Sequence, residues 1–172
     1  MNDVIHHVTQ NVLKADLKSA KMVGGGCINS ACHIQTNEGS FFLKWNTSDL
    51  FDMFSTEARA LKILNKQSPV RTPKAIHTDV FQNVSFMLME WIENGNRNPN
   101  FWKNFGINLA KQHRITSNHF GLDHDNFIGS LPQSNHQHSD WYSFFIEERL
   151  TPQIRRAQDN GLIDSSLSKQ FE

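Results

Sequence analysis

Three consecutive glycines, one lysine and one glutamate are the residues of this sequence best placed to do chemistry. Gly24-Gly25-Gly26-Cys27-Ile28-Asn29-Ser30 opens a β-like segment running to Thr36, and Asn37-Glu38-Gly39 turns it into a second, Ser40-Phe41-Phe42-Leu43-Lys44-Trp45. Glycine accepts positive φ and lets another group come close to the main chain. A glycine run at the mouth of a hairpin is therefore a flap of exposed N–H groups, and successive N–H groups make a concavity suited to an anion such as phosphate. Strand side chains alternate, so Phe42 and Lys44 share one face while Phe41, Leu43 and Trp45 share the other. Both faces are apolar save for one ammonium. It must reach solvent along its methylene stem or meet an anion, because an unpaired buried charge is costly.

Glu57 offers that anion. Met53, Phe54, Ala58, Leu61 and Leu64 recur at helical spacing across residues 49–65, with Thr47 and Ser48 as candidate caps. Glu57 comes three residues after Phe54 and four before Leu61, which sets it on or beside the apolar stripe. A cation in an apolar strand and an anion on the apolar side of the next helix answer each other's cost. A glycine flap, a strand lysine and a helix glutamate, in that order, form the upper half of a kinase nucleotide site. There the lysine holds α- and β-phosphates and the glutamate orients the lysine.

The elements that must position these groups follow from periodicity. Val4, Ile5, Val8, Val12 and Leu13 predict an amphipathic helix over residues 3–17 that lies against the first strand. The prolines of Ser68-Pro69-Val70-Arg71-Thr72-Pro73 predict a turn. Residues 74–80 and 84–91 then read as strands joined at Gln82-Asn83. The second is largely apolar and runs into Glu93-Asn94-Gly95, which suits either a hinge that reads a base or simply a buried strand ending in a turn. Residues 100–113 predict a helix with Phe101, Phe105, Leu109 and Trp102 inward, followed by a turn-rich stretch to Ser130. A further helix over 140–150 carries Trp141, Phe144, Phe145 and Leu150, and the tail adds more helix. The expected fold class is α+β: a five-stranded antiparallel sheet with the Glu57 helix packed on it, then a partial helical portion.

Composition narrows the function classes. A chain of 172 residues with 38% hydrophobic content can build one domain, or a small lobe and part of another. Seventeen basic and seventeen acidic residues leave no net charge, so neither a nucleic-acid stripe nor a charged tail is expected. No apolar run approaches the roughly 20 residues that cross a bilayer, and Met-Asn-Asp-Val-Ile-His-His does not read as a leader. A cytoplasmic protein without a membrane partner is the expectation. The two cysteines are too few for a disulfide framework. Cys32 reads as a small buried strand residue. Cys27, among glycine N–H groups, reads either as a passive loop residue or as a redox-sensitive or bridging thiol. Nine histidines invite a metal, but His136-Gln137-His138 with His119, Asp123 and His124 lack helical His-x-x-x-His spacing, and no metal site is assigned. His113-Arg114 complements the dipole at a helix C-terminus.

Several of these segments together are similar to a known family. Gly24-Gly25-Gly26-Cys27-Ile28-Asn29, Phe42-Leu43-Lys44, Phe54-Ser55-Thr56-Glu57-Ala58 and Met89-Glu90-Trp91 contribute. Most diagnostic is Asp125-Asn126-Phe127-Ile128-Gly129-Ser130, with Pro132-Gln133, Asp140-Trp141, Phe144-Phe145, Arg149-Leu150 and Gln153. They resemble the fructosamine (ketosamine) kinase family from the first strand to about residue 160. The resemblance implies a protein-kinase-like fold, as in aminoglycoside phosphotransferases and choline kinases. It also implies phosphorylation, with ATP and Mg²⁺, of sugar amines attached to lysines, after which the adduct decomposes: a deglycation. On this resemblance Gly24, Gly25, Gly26, Cys27 and Asn29 cover the phosphates, Lys44 contacts them, and Glu57 pairs with Lys44. Met89 sits behind adenine, and Glu90 and Ile92 offer backbone hydrogen bonds to its edge. Residues 1–93 become the nucleotide-binding lobe and 94–172 the beginning of a helical lobe.

The family pattern also carries a His-Gly-Asp-x-x-x-x-Asn catalytic loop and a further metal-binding Asp. His138-Ser139-Asp140 is the nearest approach, but Phe145 stands where the Asn belongs. No catalytic residue and no metal ligand is therefore assigned within the 172 residues. The base and the Mg²⁺ ligands are expected beyond Glu172, and the chain reads as truncated and inactive by itself. The alternatives are a non-catalytic nucleotide-binding or interaction module, and an aminoglycoside- or choline-type kinase. An apolar surface left uncovered at Trp141, Phe144 and Phe145 is expected to find a partner, self-association among the outcomes.

Overall fold

The alternation along the lysine-bearing strand sets the architecture. The computed structural model describes residues 2–26 and 28–168, so Cys27 lies outside the described residues. Its sheet is antiparallel throughout and contains β1 (Leu17–Met22), β2 (Ser30–Thr36), β3 (Gly39–Thr47), β4 (Ala75–Phe81) and β5 (Val84–Glu90). The spatial order is β1-β2-β3-β5-β4. On one face Leu43 of β3 pairs with Cys32 and Leu88, and these are buried with Ile34 and Phe86 against Val4 and Ile5 of α1 (Asn2–His7). Each such side chain taken from water contributes about 1.5–3 kcal/mol, an upper figure for a compact unfolded chain. On the opposite face Lys44 lies between Ala31 and Met87, toward α2 (Phe51–Gln67) with its buried Met53 and Phe54. The class is α+β with a five-stranded antiparallel sheet, as expected.

Two local expectations fail here for physical reasons. The first helix does not run to Leu17: it passes into a π-helical turn at Val8–Val12 and stops, because Lys14 adopts φ 51°. Leu17 instead opens β1. Thr47 and Ser48 do not cap α2, whose N-cap is Leu50 without a side-chain bond. They are spent on the β4–β5 hairpin instead. Thr47 C=O accepts from Ser85 Oγ at 2.7 Å, and Ser48 N–H donates to Asn83 C=O at 3.0 Å.

Contacts group the chain into two compact units, Met1–Ile115 and Thr116–Glu172. The first includes α3 (Phe101–His113), tied back by Ser68 Oγ donating to Gln112 Oε1 at 2.7 Å. Its aromatic residues do not point inward as predicted. Trp102 is 65% exposed, and Phe101 and Phe105 are also exposed, the rings packing on one another and under Arg97.

The second unit begins with a hairpin of β6 (Asn126–Ile128) and β7 (Leu131–Gln133), turning at Gly129 with φ 65°. It continues through α4 (Trp141–Phe145), a π-helical turn, α5 (Thr151–Asp159) and α6 (Ser165–Ser168). Asp140 caps α4 by accepting from Ser143 N–H at 2.8 Å. Trp141 and Phe145 are exposed, but Phe144 is not: it is buried beneath the Arg149 guanidinium, 4.5 Å from the ring centre. No described helix is long and apolar enough to cross a membrane.

Candidate functional site

Lys44 reaches α2 and meets Glu57 with both carboxylate oxygens, at 2.8 Å to Oε1 and 2.7 Å to Oε2. The pair is partly buried, and the ammonium also lies 5.9 Å from the Phe54 ring centre. Strand and helix bring it about jointly. β3 fixes Lys44 on the α2 face, and the α2 stripe that buries Phe54 carries Glu57 along with it.

The pair lines a cavity of about 460 Å³ whose other walls are Val23, Gly24, Gly26, Ile28, Asn29, Ala31, Phe42 and Met89. Gly25 takes φ 111°, a conformation that side-chain-bearing residues rarely adopt, and a Cβ at Gly24 or Gly25 would meet nothing. The flap is thus bare backbone. Its far end is pinned by Asn46, whose Nδ2 donates to Ile28 C=O at 2.8 Å and to Asn29 Oδ1 at 2.9 Å. With Oδ1 so engaged, the Asn29 amide N–H₂ remains for another acceptor.

Phe42 and Met89 also line an adjoining cavity of about 270 Å³ with Pro73, Glu90, Trp91 and Ile92. Trp91 is held by stacking on His33, ring centres 3.8 Å apart and planes 13° from parallel. The Glu90 N–H donates to Lys74 C=O at 2.9 Å, so only the Glu90 carbonyl could serve a ligand edge. Its carboxylate is taken by Arg71, and that hydrogen bond, against some loss of solvent, holds it below the usual carboxylate range.

Of the residues picked from sequence, Gly24, Gly26, Asn29, Lys44, Glu57 and Met89 thus line one cavity, and Met89, Glu90 and Ile92 the next. Gly25 shapes the flap between its lining neighbours. Phe42, Asn46 and Trp91 were not picked as site residues. Asn46 was within reach, since it follows Lys44 by two positions and so shares its face. Trp91 depends on a stack with a residue remote in sequence, which leaves no local signal.

The histidine-rich stretch is organised differently. Asn135 is buried, and its Nδ2 donates to His124 C=O and to Asn126 Oδ1, each at 3.0 Å. Asp125 Oδ1 accepts from Asn135 N–H at 2.8 Å, and Arg149 bonds Asn135 and Ser134. His138 Nε2 lies 3.1 Å from Glu148 Oε1. Among the described residues no group of three or more His, Cys, Asp or Glu is placed to hold a metal.

The sequence pattern of the fructosamine kinases matches residues 1–172. The chain belongs to the fructosamine kinase family. It is 41% identical over 140 residues to an Arabidopsis thaliana protein-ribulosamine 3-kinase of the chloroplast, covering 80% of this chain and 43% of that one. It is 34% identical to a probable ketoamine kinase of Synechocystis, covering 83% and 48%. Among solved structures, a candidate fructosamine-3-kinase of Haemophilus somnus superposes with a TM-score of 0.83 at 26% identity, over 96% of this chain and 58% of that one. The fold of this fructosamine kinase family member is therefore protein-kinase-like. The chain spans about half the length of the curated relatives it matches.

Proposed function

We propose that the protein is an ATP-dependent kinase of the fructosamine (ketosamine) type, phosphorylating sugar-amine glycation adducts, and that these residues supply its ATP-binding part. The observation that carries this is the Lys44–Glu57 pair set in the wall of the glycine-flap cavity. In this reading residues 1–93 are the nucleotide-binding lobe and residues 94–172 begin the helical lobe. ATP supplies the phosphoryl group. Lys44 binds its α- and β-phosphates, and Glu57 holds the ammonium in place. The N–H groups of Gly24, Gly25 and Gly26 and the Asn29 amide cover the phosphates, with Cys27 assigned to the same loop. Phe42, Met89 and Trp91 enclose the adenine, whose edge meets the Glu90 carbonyl and the Ile92 main chain.

The two-part cavity fits a nucleotide: cationic and backbone-lined at one end, apolar at the other. It does not fit Mg²⁺. Glu57 and Glu90 are the carboxylates among its described lining residues, and they are already engaged: Lys44 takes both oxygens of the first and Arg71 bonds the second. We assign the metal ligands and the base that takes the acceptor's proton to sequence beyond Glu172, and derive no step through the metal. Sugar-amine adducts as acceptors, and thus deglycation, rest on the names of the relatives. A cytoplasmic setting and self-association through exposed Trp141 and Phe145 complete the proposal.

Isothermal titration of the chain with Mg-ATP tests it. Saturable binding is expected, weakened by about tenfold or more in Lys44→Ala, since a hydrogen bond to a charged group contributes about 1.5–3 kcal/mol. A folded wild-type chain that takes up no nucleotide overturns the proposal.

A further inference from the structure

The first unit holds a larger cavity than the one beneath the flap. It measures about 860 Å³ and lies between α2 and β4, lined by Ala58, Arg59, Lys62, Asn65 and Lys66 of the helix and by five consecutive residues, 74–78. Two features of that lining point to the same kind of occupant.

The first is charge. Lys62, Lys66 and Lys74 line the groove beside Arg59, and no carboxylate is among its described lining residues. Asp79 and Glu90, the carboxylates of β4 and β5, face His77 and Arg71 respectively. The second is backbone. Alternate side chains of a strand point to opposite faces, so five successive residues can line one cavity only where it runs along the strand's edge. β4 is the last strand of the sheet and pairs with β5 alone among the described strands. Its register shifts between Ala75 and His77, which leaves Ile76 without a partner and 47% exposed. An open edge presents main-chain donors and acceptors to any extended chain. A basic helix face turned to solvent would need no such wall opposite it.

We propose that this groove docks an acidic, extended segment of a partner protein, which adds to β4 as a sixth strand. The spacings agree. Alternate residues of a strand repeat at about 6.6 Å, and Lys62 and Lys66, four apart on α2, rise by about 6 Å. A segment with a carboxylate at every second position presents its charges to the helix while its main chain bonds the edge. Asn65 Nδ2, donating to Pro73 C=O at 3.1 Å, ties the helix to the strand's approach and keeps the groove at a set width. The site is separate from the Lys44 cavity and does not depend on nucleotide.

The test uses the full chain and a fluorescein-labelled peptide of alternating Glu and Thr, followed by anisotropy. Binding is expected for the wild type and for Lys44→Ala alike. It should weaken by about tenfold or more in the triple variant Lys62→Glu, Lys66→Glu, Lys74→Glu, checked as folded by circular dichroism. On the wild type, the same peptide N-methylated at alternate residues keeps its charge but cannot pair, and should not bind. Amide shifts in the wild type should centre on residues 75–78. Equal binding of the N-methylated peptide, or competition by inorganic tripolyphosphate alone at matched charge, would make the groove an anion site and overturn strand addition. No binding of the alternating peptide overturns the proposal outright.

Discussion

An ammonium has three N–H bonds, and Lys44 directs donors to both oxygens of Glu57. At least one hydrogen is left for a phosphate, in a direction fixed by the other two. Glu57→Gln keeps the shape and removes the charge that holds Lys44. ATP affinity measured by titration should fall by about three- to tenfold, with little change in melting temperature because the pair is partly exposed. An affinity equal to wild type would deny Glu57 its orienting role. A second carboxylate makes a different prediction. Burial pushes Glu148 up, but hydrogen bonds from Ser134 and His138, and the charges of His136 and His138, outweigh it and hold Glu148 below its ordinary value. A group depressed in the folded state contributes stability that is full above its unfolded value of 4.5 and fades as pH falls through the lower folded one. Acid melts of Glu148→Gln should therefore lose part of the destabilisation seen in the wild type below about that pH. Superimposable acid profiles would show that Glu148 is not a source of it. Cys32 is 1% exposed and its thiol is pushed up to about 11 by burial, which keeps it a thiol at neutral pH.

Among the elements, the flap owes its position to β3 as much as to its own glycines. Asn46 bonds both Ile28 and Asn29, so Asn46→Ala should release the flap. Hydrogen exchange at Ile28 and Asn29 should quicken, and nucleotide binding should weaken without loss of the sheet. In the second unit Gly121 has φ 112°, and a Cβ there would sit 2.7 Å from the carbonyl oxygens of Asn135 and His136. Gly121→Ala should cost about 2 kcal/mol or more, read as a lowered denaturation midpoint. Strands β2 to β5 and α2 were legible because their periods are clean: β4 and β5 begin and end within a residue or so of expectation. Where one residue's dihedral decides, as at Lys14, periodicity is silent. The caps were misread because Thr47 and Ser48 had a tertiary partner in the β4–β5 hairpin that no local pattern contains. The rings of α3 are helically spaced and still exposed, since aromatic spacing alone does not distinguish a core stripe from a cluster packed on itself under Arg97.

For the molecule as a whole, the Lys44–Glu57 meeting could be argued from sequence because each charge lacked a local partner, whereas the apolar slot closed by Trp91 on His33 could not. No His-Gly-Asp-x-x-x-x-Asn run occurs in the 172 residues. Phosphoryl transfer to a ketosamine by this chain alone should therefore stay at background, because positioning of metal and base supplies most of that catalysis. Turnover at ordinary kinase rates would refute the assignment of base and metal ligands to sequence beyond Glu172. The opposed environments of Leu43 and Lys44 carry a further consequence, for heredity. Deleting one codon early in β3 would shift the strand by a residue and exchange the two faces. An ammonium would enter the apolar layer under α1, and a leucine would take its place beneath the flap. Folding and nucleotide binding would fail in the same step. Substitutions in β3 can be graded in their effects, but length changes there cannot, so descendants of this gene should vary the strand's letters and keep its count.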